Sequence, residues 1–156
     1  MRILGIDFGD SRTGIAISDP LGWTAQGLET ARGGMTAAAE RIAQLTRYYG
    51  VKTIVVGYPL NMDGSAGFRA ERTDCFISVL INQIGKETVE ILKWDERLTS
   101  AEAARVLRAT GAKPGSRPMR EKGKIDVVAA AILLQSYLDS IKLNDGGISE
   151  GEQSKV

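Results

Sequence analysis

At 156 residues the chain has the length of one domain, enough to bury a core without disulfides or a structural metal. Apolar residues make up 43% and charged residues 25%, the mix of an ordinary soluble globular protein, which excludes the disordered and fibrous classes. With no histidine and one cysteine, Ser-His-Asp hydrolysis, Cys-His chemistry, Cys-rich zinc sites and an internal disulfide are excluded, and a net charge of +1 offers no global case for nucleic acid.

Residues 2–8 form a compact apolar run ending in Asp7, and 13–18 are rich in isoleucine with a period near two, so both read as strands. Turn clusters follow each of them, Gly9-Asp10-Ser11-Arg12 and Asp19-Pro20-Leu21-Gly22. A third strand over 23–30 completes an antiparallel meander. Arg2 and Asp7 interrupt any apolar leader, and the longest apolar run, 127–134, is too short to span a bilayer. The protein is therefore expected in the cytoplasm, where the lone Cys75 reads as a small core residue.

Over 35–49 the apolar residues Ala38, Ile42, Leu45 and Tyr49 share one helical stripe, and Gly50 supplies the stop. The β-branched run in 51–57 reads as a strand buried on both faces. A second helix over 68–84, ending near Gly85, leads to a strand over 88–94. Thr99 and Glu102 form a capping box that starts a helix running to Thr110. Residues 113–123, with Pro114, Gly115, Pro118 and Gly123, read as a loop, and 124–141 as a nearly all-round apolar, buried helix. The polar, glycine-rich residues 144–156 read as a disordered tail, which leaves 1–143 as a single domain. The fold class is α/β: a mixed five-stranded sheet, three antiparallel strands and then parallel ones, flanked by helices.

Three acidic residues sit on elements that otherwise read as core. Asp7 ends the first strand, Glu96 follows the fifth, and Asp126 stands in the first turn of the last helix. If the first and fifth strands are neighbours, their carboxylates meet at one edge of the sheet and the helix can bring the third. Hard cations such as Mg²⁺ or Mn²⁺ take oxygen ligands, and a pair of such ions can stabilise both oxygens of a phosphodiester displacement without histidine. Each residue also has a plainer role: Asp126 favoured by the helix dipole, Asp7 beginning a turn, Glu96 a surface charge beside Arg97. Asp95 and Asp10 compete for the same part, because neighbours on a strand point to opposite faces. The glycines of 5–19 would let backbone approach a phosphate and Arg12 could pair with one, although a tight hairpin needs glycine anyway.

Four motifs in order, Asp7-Phe-Gly-Asp-Ser-Arg12-Thr-Gly, Val-Val-Gly57-Tyr-Pro59-Leu-Asn61-Met-Asp-Gly64-Ser, Trp-Asp-Glu96-Arg97-Leu-Thr99 and Lys124-Ile-Asp126, resemble the YqgF family, over about residues 2–138. That resemblance implies an RNase H-like fold, Holliday-junction-resolvase-like chemistry and a part in maturing the 5′ end of small-subunit ribosomal RNA. Carried over by position, it makes Asp7, Glu96 and Asp126 the metal-binding carboxylates, favours Glu96 over Asp95, and assigns Arg12 and Arg97 to substrate phosphate or to organising the site.

Residues 113–124 hold Lys113, Arg117, Arg120, Lys122 and Lys124 against Glu121 alone, a local charge of +4. A solvated loop is the plain reading, but beside Asp126 these cations could clamp a nucleic-acid backbone. The expected partner is then a ribosomal RNA precursor. A junction resolvase would need a symmetric dimer, and no dimer surface is evident, so a monomer or weak dimer is expected. A non-catalytic RNA-binding module is the other alternative. An actin-like ATPase is disfavoured by length, since such enzymes close two domains around the nucleotide and this chain has room for one.

Overall fold

A computed structural model describes residues 1–85, 88–98, 119–145 and 154–155. The capped helix expected over 99–110 lies outside the described residues, as do Lys113 and Arg117. The meander forms as expected from β1 (Ile3–Asp7), β2 (Arg12–Ser18) and β3 (Ala25–Arg32), each antiparallel to the next. Its second turn is built by Asp19, whose carboxylate accepts the backbone N–H of Leu21, Trp23 and Thr24 at 3.3, 2.7 and 2.8 Å. Such side-chain acceptors replace the ladder bonds the backbone loses in turning.

Then come α1 (Met35–Tyr49), β4 (Thr53–Tyr58), α2 (Phe68–Ile84) and β5 (Glu90–Asp95). Gly50 ends α1 at φ 65°, a left-handed conformation open to glycine at little steric cost. β4 pairs in parallel with both β1 and β5, giving the order β3-β2-β1-β4-β5. A single 3-10 turn, Glu96–Leu98, leaves β5, and the last helix, α3, covers Met119–Asp145.

Both faces of the sheet are covered, which is why the strands read as continuous apolar runs. On one face Leu4, Ile6, Ile15, Ile17, Ile54 and Val56 pack against Ile42 of α1 and Phe76 and Leu80 of α2. On the other, Ala16, Val55, Leu92 and Trp94 meet Ala130, Leu133, Leu134 and Leu138 of α3. The second face is lined with glycine. A Cβ on Gly5 would stand 2.6 Å from Leu134 Cβ, one on Gly14 would run into the Asp126 carbonyl, and one on Gly27 into Val127. The absent side chains let α3 lie close to the sheet.

Two expectations need correction. α3 begins at Met119 and not at Lys124, so Gly123 is helical, as are Arg120 and Lys122. One interior glycine costs only about 1 kcal/mol relative to alanine, which a helix of 27 residues packed on a sheet tolerates. Asp126 is consequently two turns into the helix, beyond the first turn where the dipole acts. Cys75 is exposed, because the inward face of α2 is taken by Thr73, Phe76, Ile77 and Leu80. Toward the C-terminus Asn144 and Asp145 continue α3, and Ser154–Lys155 add a sixth short strand, β6, antiparallel to Leu92 and Lys93, while 146–153 lie outside the described residues. An otherwise open edge strand offers unpaired backbone groups for such an addition.

Candidate active site

β1 and β5 are not neighbours; β4 lies between them. The carboxylates nevertheless meet, and Gly57 of β4 is the reason. β5 pairs with β4 up to Tyr58–Asp95, and Glu96 is the next residue, where the chain turns out of the sheet. From there its side chain lies back over β4. A Cβ on Gly57 would be 2.6 Å from Glu96 Oε1 and 3.0 Å from its Cγ, so any larger residue would occupy the path of the carboxylate. Asp7 and Glu96 touch through a side-chain hydrogen bond.

Asp126 comes from the opposite layer. Gly14, the register partner of Asp7, lets the α3 backbone at Asp126 settle directly on β2. Its carboxylate is held by Arg12, Nε to Oδ2 2.8 Å, and its charge is felt at Asp7. Burial first, and then the neighbouring Glu96, push the Asp7 carboxyl up to about 8. Glu96 is raised too, by burial, against the lowering influence of its bond to Asp7 and of Arg69. Two carboxyl groups thus share a pocket in which both cannot comfortably carry charge unless a cation joins them.

Arg69, in the first turn of α2, has no signal in the sequence. Its charge acts on both Asp7 and Glu96, and it shares a cavity of about 200 Å³ with Asp7, Arg12 and Asp126. Its side chain makes no ion pair among the described residues. Only tertiary folding brings α2 to the end of β1, so sequence spacing could not have found it.

The competing acids are drawn elsewhere. Asp95 is bound by Arg97, Nη2 to Oδ2 2.7 Å, which holds its carboxyl below the ordinary range. Asp10 pairs with Arg72 at 3.0 Å on the rim. Arg97 also reaches the carbonyls of Asn61 and Met62 at 3.5 Å, tying the 59–67 loop to the end of β5. It therefore stands as an organiser of the loop, while Arg12 faces the cavity. Arg120 and Lys122 sit on the first turns of α3, two of the cations expected near Asp126.

Among the described residues no three acidic or sulfur-bearing side chains converge tightly enough to cage an ion by themselves. The all-oxygen donor set still suits a hard divalent cation, which commonly takes one or two carboxylates and fills its shell with water and substrate phosphate. Asp7 and Glu96 in contact, with Asp126 beside them, fit that pattern.

A family described as RuvX, Holliday junction resolvase, matches residues 1–140. A protein of Acetivibrio thermocellus named "Putative pre-16S rRNA nuclease" is 51% identical over 142 residues, 90% of this chain and 96% of that one. A second of the same name, from Ruminiclostridium cellulolyticum, is 47% identical over 146 residues, 92% of this chain and 98% of that one. Among solved structures, RuvC of T. thermophilus in complex with a Holliday junction substrate superposes with a TM-score of 0.60 at 15% identity, covering 100% of this chain and 99% of that one. A fowlpox virus Holliday junction resolvase gives 0.51 at 19% identity, with 90% and 99% covered. At such identities the structures speak for the fold, which is RNase H-like as the motifs implied. The sequence matches speak for descent, and by them the chain belongs to the RuvX family, also called YqgF.

Proposed function

We propose that the chain is a metal-dependent nuclease that hydrolyses phosphodiester bonds in the precursor of small-subunit ribosomal RNA. The observation that carries this reading is the contact of Glu96 with Asp7, which lines an open cavity together with Asp126, Arg12 and Arg69. The names of the relatives support the choice of substrate.

Asp7 and Glu96 would hold Mg²⁺ or Mn²⁺, with Asp126 completing the set. Such an ion, when bound, neutralises these carboxylates and stabilises the charge on the attacking and leaving oxygens of the displacement. The remaining work belongs to the chain. Arg12 holds Asp126 in place, since a carboxylate fixed by a guanidinium cannot swing away from the cavity. Arg69 lies where a scissile phosphate would need positive charge, and an arginine there meets phosphate oxygens in a planar fork. The part-buried setting of Asp7 limits screening by water, which strengthens each of these interactions. The cations Lys113, Arg117, Arg120 and Lys122 would take flanking phosphates.

Purified protein should therefore cleave a precursor fragment spanning the 5′ end of the small-subunit RNA in Mg²⁺ or Mn²⁺ and not in EDTA. A four-way DNA junction run beside it tests the resolvase alternative suggested by the family description. Cleavage of the junction alone would transfer the assignment to DNA, and cleavage of neither would leave a binding module.

A further inference from the structure

A second cavity, about 230 Å³, opens beside the first and shares Phe8, Gly9, Asp10 and Arg69 with it. Its other walls come from Pro59, at the end of β4, and from Phe68, Arg72 and Thr73 of α2. Phe68, the first residue of α2, is 73% exposed. Phe8 is half-buried and stacks on the buried Phe76, centroids 4.5 Å apart and planes 10° off parallel, so it is fixed in place. The cavity thus presents aromatic and proline surface, with Arg69 at the boundary and Arg72 held across the rim by Asp10 at 3.0 Å.

A single exposed phenylalanine needs no explanation, because folded surfaces carry many apolar atoms. What distinguishes Phe68 is continuity: its cavity runs into the one that holds the carboxylates, and a cation stands where they join. A polynucleotide whose phosphate lies at the carboxylates has its next sugar and base within reach of that neighbour. The volume is below the roughly 300–1,000 Å³ of drug-sized sites, which suits one planar ring. Arginine at the boundary matches a phosphate, and the ring of Phe68 with Pro59 beside it matches a base face.

We infer that this cavity is a base-stacking subsite, in which a nucleotide next to the scissile phosphate leaves its strand and stacks on Phe68, and that the enzyme therefore acts on single-stranded RNA. The inference rests on the nuclease reading above. A base inside a duplex is already stacked on both faces and cannot enter, whereas an unpaired base can, and stacking on an aromatic side chain is tolerant of base identity. The subsite thus selects strandedness and not sequence.

The test uses a single-stranded RNA dodecamer carrying 2-aminopurine at successive positions, and the same strand annealed to its complement. Protein is titrated in at low salt without divalent metal, so that stacking is read without hydrolysis. Wild type should quench the fluorescence at one or two adjacent positions of the single strand. Phe68→Ala should abolish that quench and weaken single-strand binding by about tenfold to a hundredfold, with little change for the duplex. Phe68→Trp should keep both, and its retention separates stacking from loss of fold. In cleavage assays with Mg²⁺ or Mn²⁺, Phe68→Ala should raise KM for the single strand.

Quench and affinity unchanged in Phe68→Ala would overturn the subsite while leaving the nuclease standing. An equal loss for single strand and duplex would overturn it as well, and so would wild type that binds no single strand. Wild type that stacks the base yet cleaves nothing with either metal would instead overturn the nuclease reading alone.

Discussion

The two faces of the sheet are built on opposite principles. Under α1 and α2 the strands present large side chains, Leu4, Ile6, Ile15, Ile17, Ile54 and Val56, and the space between layers is filled by interdigitation. Under α3 the same strands present Gly5, Gly14, Gly27 and Gly57, and the space is removed by bringing the helix down. A filled face can adjust by repacking, because side chains have other rotamers. At Gly14, where the strand meets the helix backbone, there is nothing to move. The difference teaches where this protein places its chemistry: on the face whose glycines bring the helix down, so that Asp126 and Glu96 reach Asp7 from two different elements.

The largest stability effect is expected at Gly14. A methyl group there meets the Asp126 backbone, so Gly14→Ala should cost on the order of 3 kcal/mol, a fall of about 6–12 °C in thermal midpoint, and should abolish cleavage. A variant that melts with wild type would show that α3 can lift off the sheet freely, and the contrast between faces would fail. At Gly57 the obstacles are the ends of Leu133 and Glu96, which can shift. Gly57→Ala should therefore cost only about 1–2 kcal/mol yet lower kcat by roughly a hundredfold, through displacement of one carboxylate. Chemical denaturation and single-turnover cleavage on the same preparation would check both halves.

On the filled face, Ile54→Val should cost about 0.5–1.5 kcal/mol and leave cleavage as it was, the behaviour of a core position remote from the site. Loss of cleavage in a stably folded Ile54→Val would mean the two faces are coupled.

Asp7→Asn moves stability the other way. Burial pushes the folded carboxyl up to about 8, while an unfolded one keeps the ordinary value of 3.8, so the native state holds more protons between those values. Native stability must then fall as pH rises through that window. Without divalent metal, Asp7→Asn should melt a few degrees above wild type at pH 8, converge with it near pH 4, and cleave nothing. A lower midpoint in the variant at pH 8 would identify Asp7 as a structural carboxylate. The smallest effect is expected from removing 146–156, about 0.5 kcal/mol or less, since among its described residues the segment contributes the short β6 pairing. A large drop in melting temperature would show that the pairing of β6 with β5 carries much of the stability.

Much of the architecture was legible before any coordinates. Alternation and β-branching marked the strands, and α1 and α2 have the expected bounds because their apolar stripes and terminal glycines are local signals. The acidic residues stood out because Asp7 ends an apolar strand, Glu96 directly follows one and Asp126 stands near the start of an apolar helix. Less legible was anything that depends on what lies across the sheet. Cys75 looked like core because small apolar residues usually are, yet one position on a helix decides between inside and outside. Gly123 looked like a loop because propensity is weak against the packing of a long helix.

What the sequence determined by itself was the set of elements and the oxygen-only chemistry, since periodicity is written in neighbouring residues and an absent histidine cannot be supplied by folding. Only the tertiary structure decided that β4 separates β1 from β5, that Gly57 and Gly14 clear the way for Glu96 and Asp126, and that Arg69 and Phe68 border the carboxylates. Those facts join residues from 7 to 126, and their proximity arises from strand order and close packing, which no local pattern encodes.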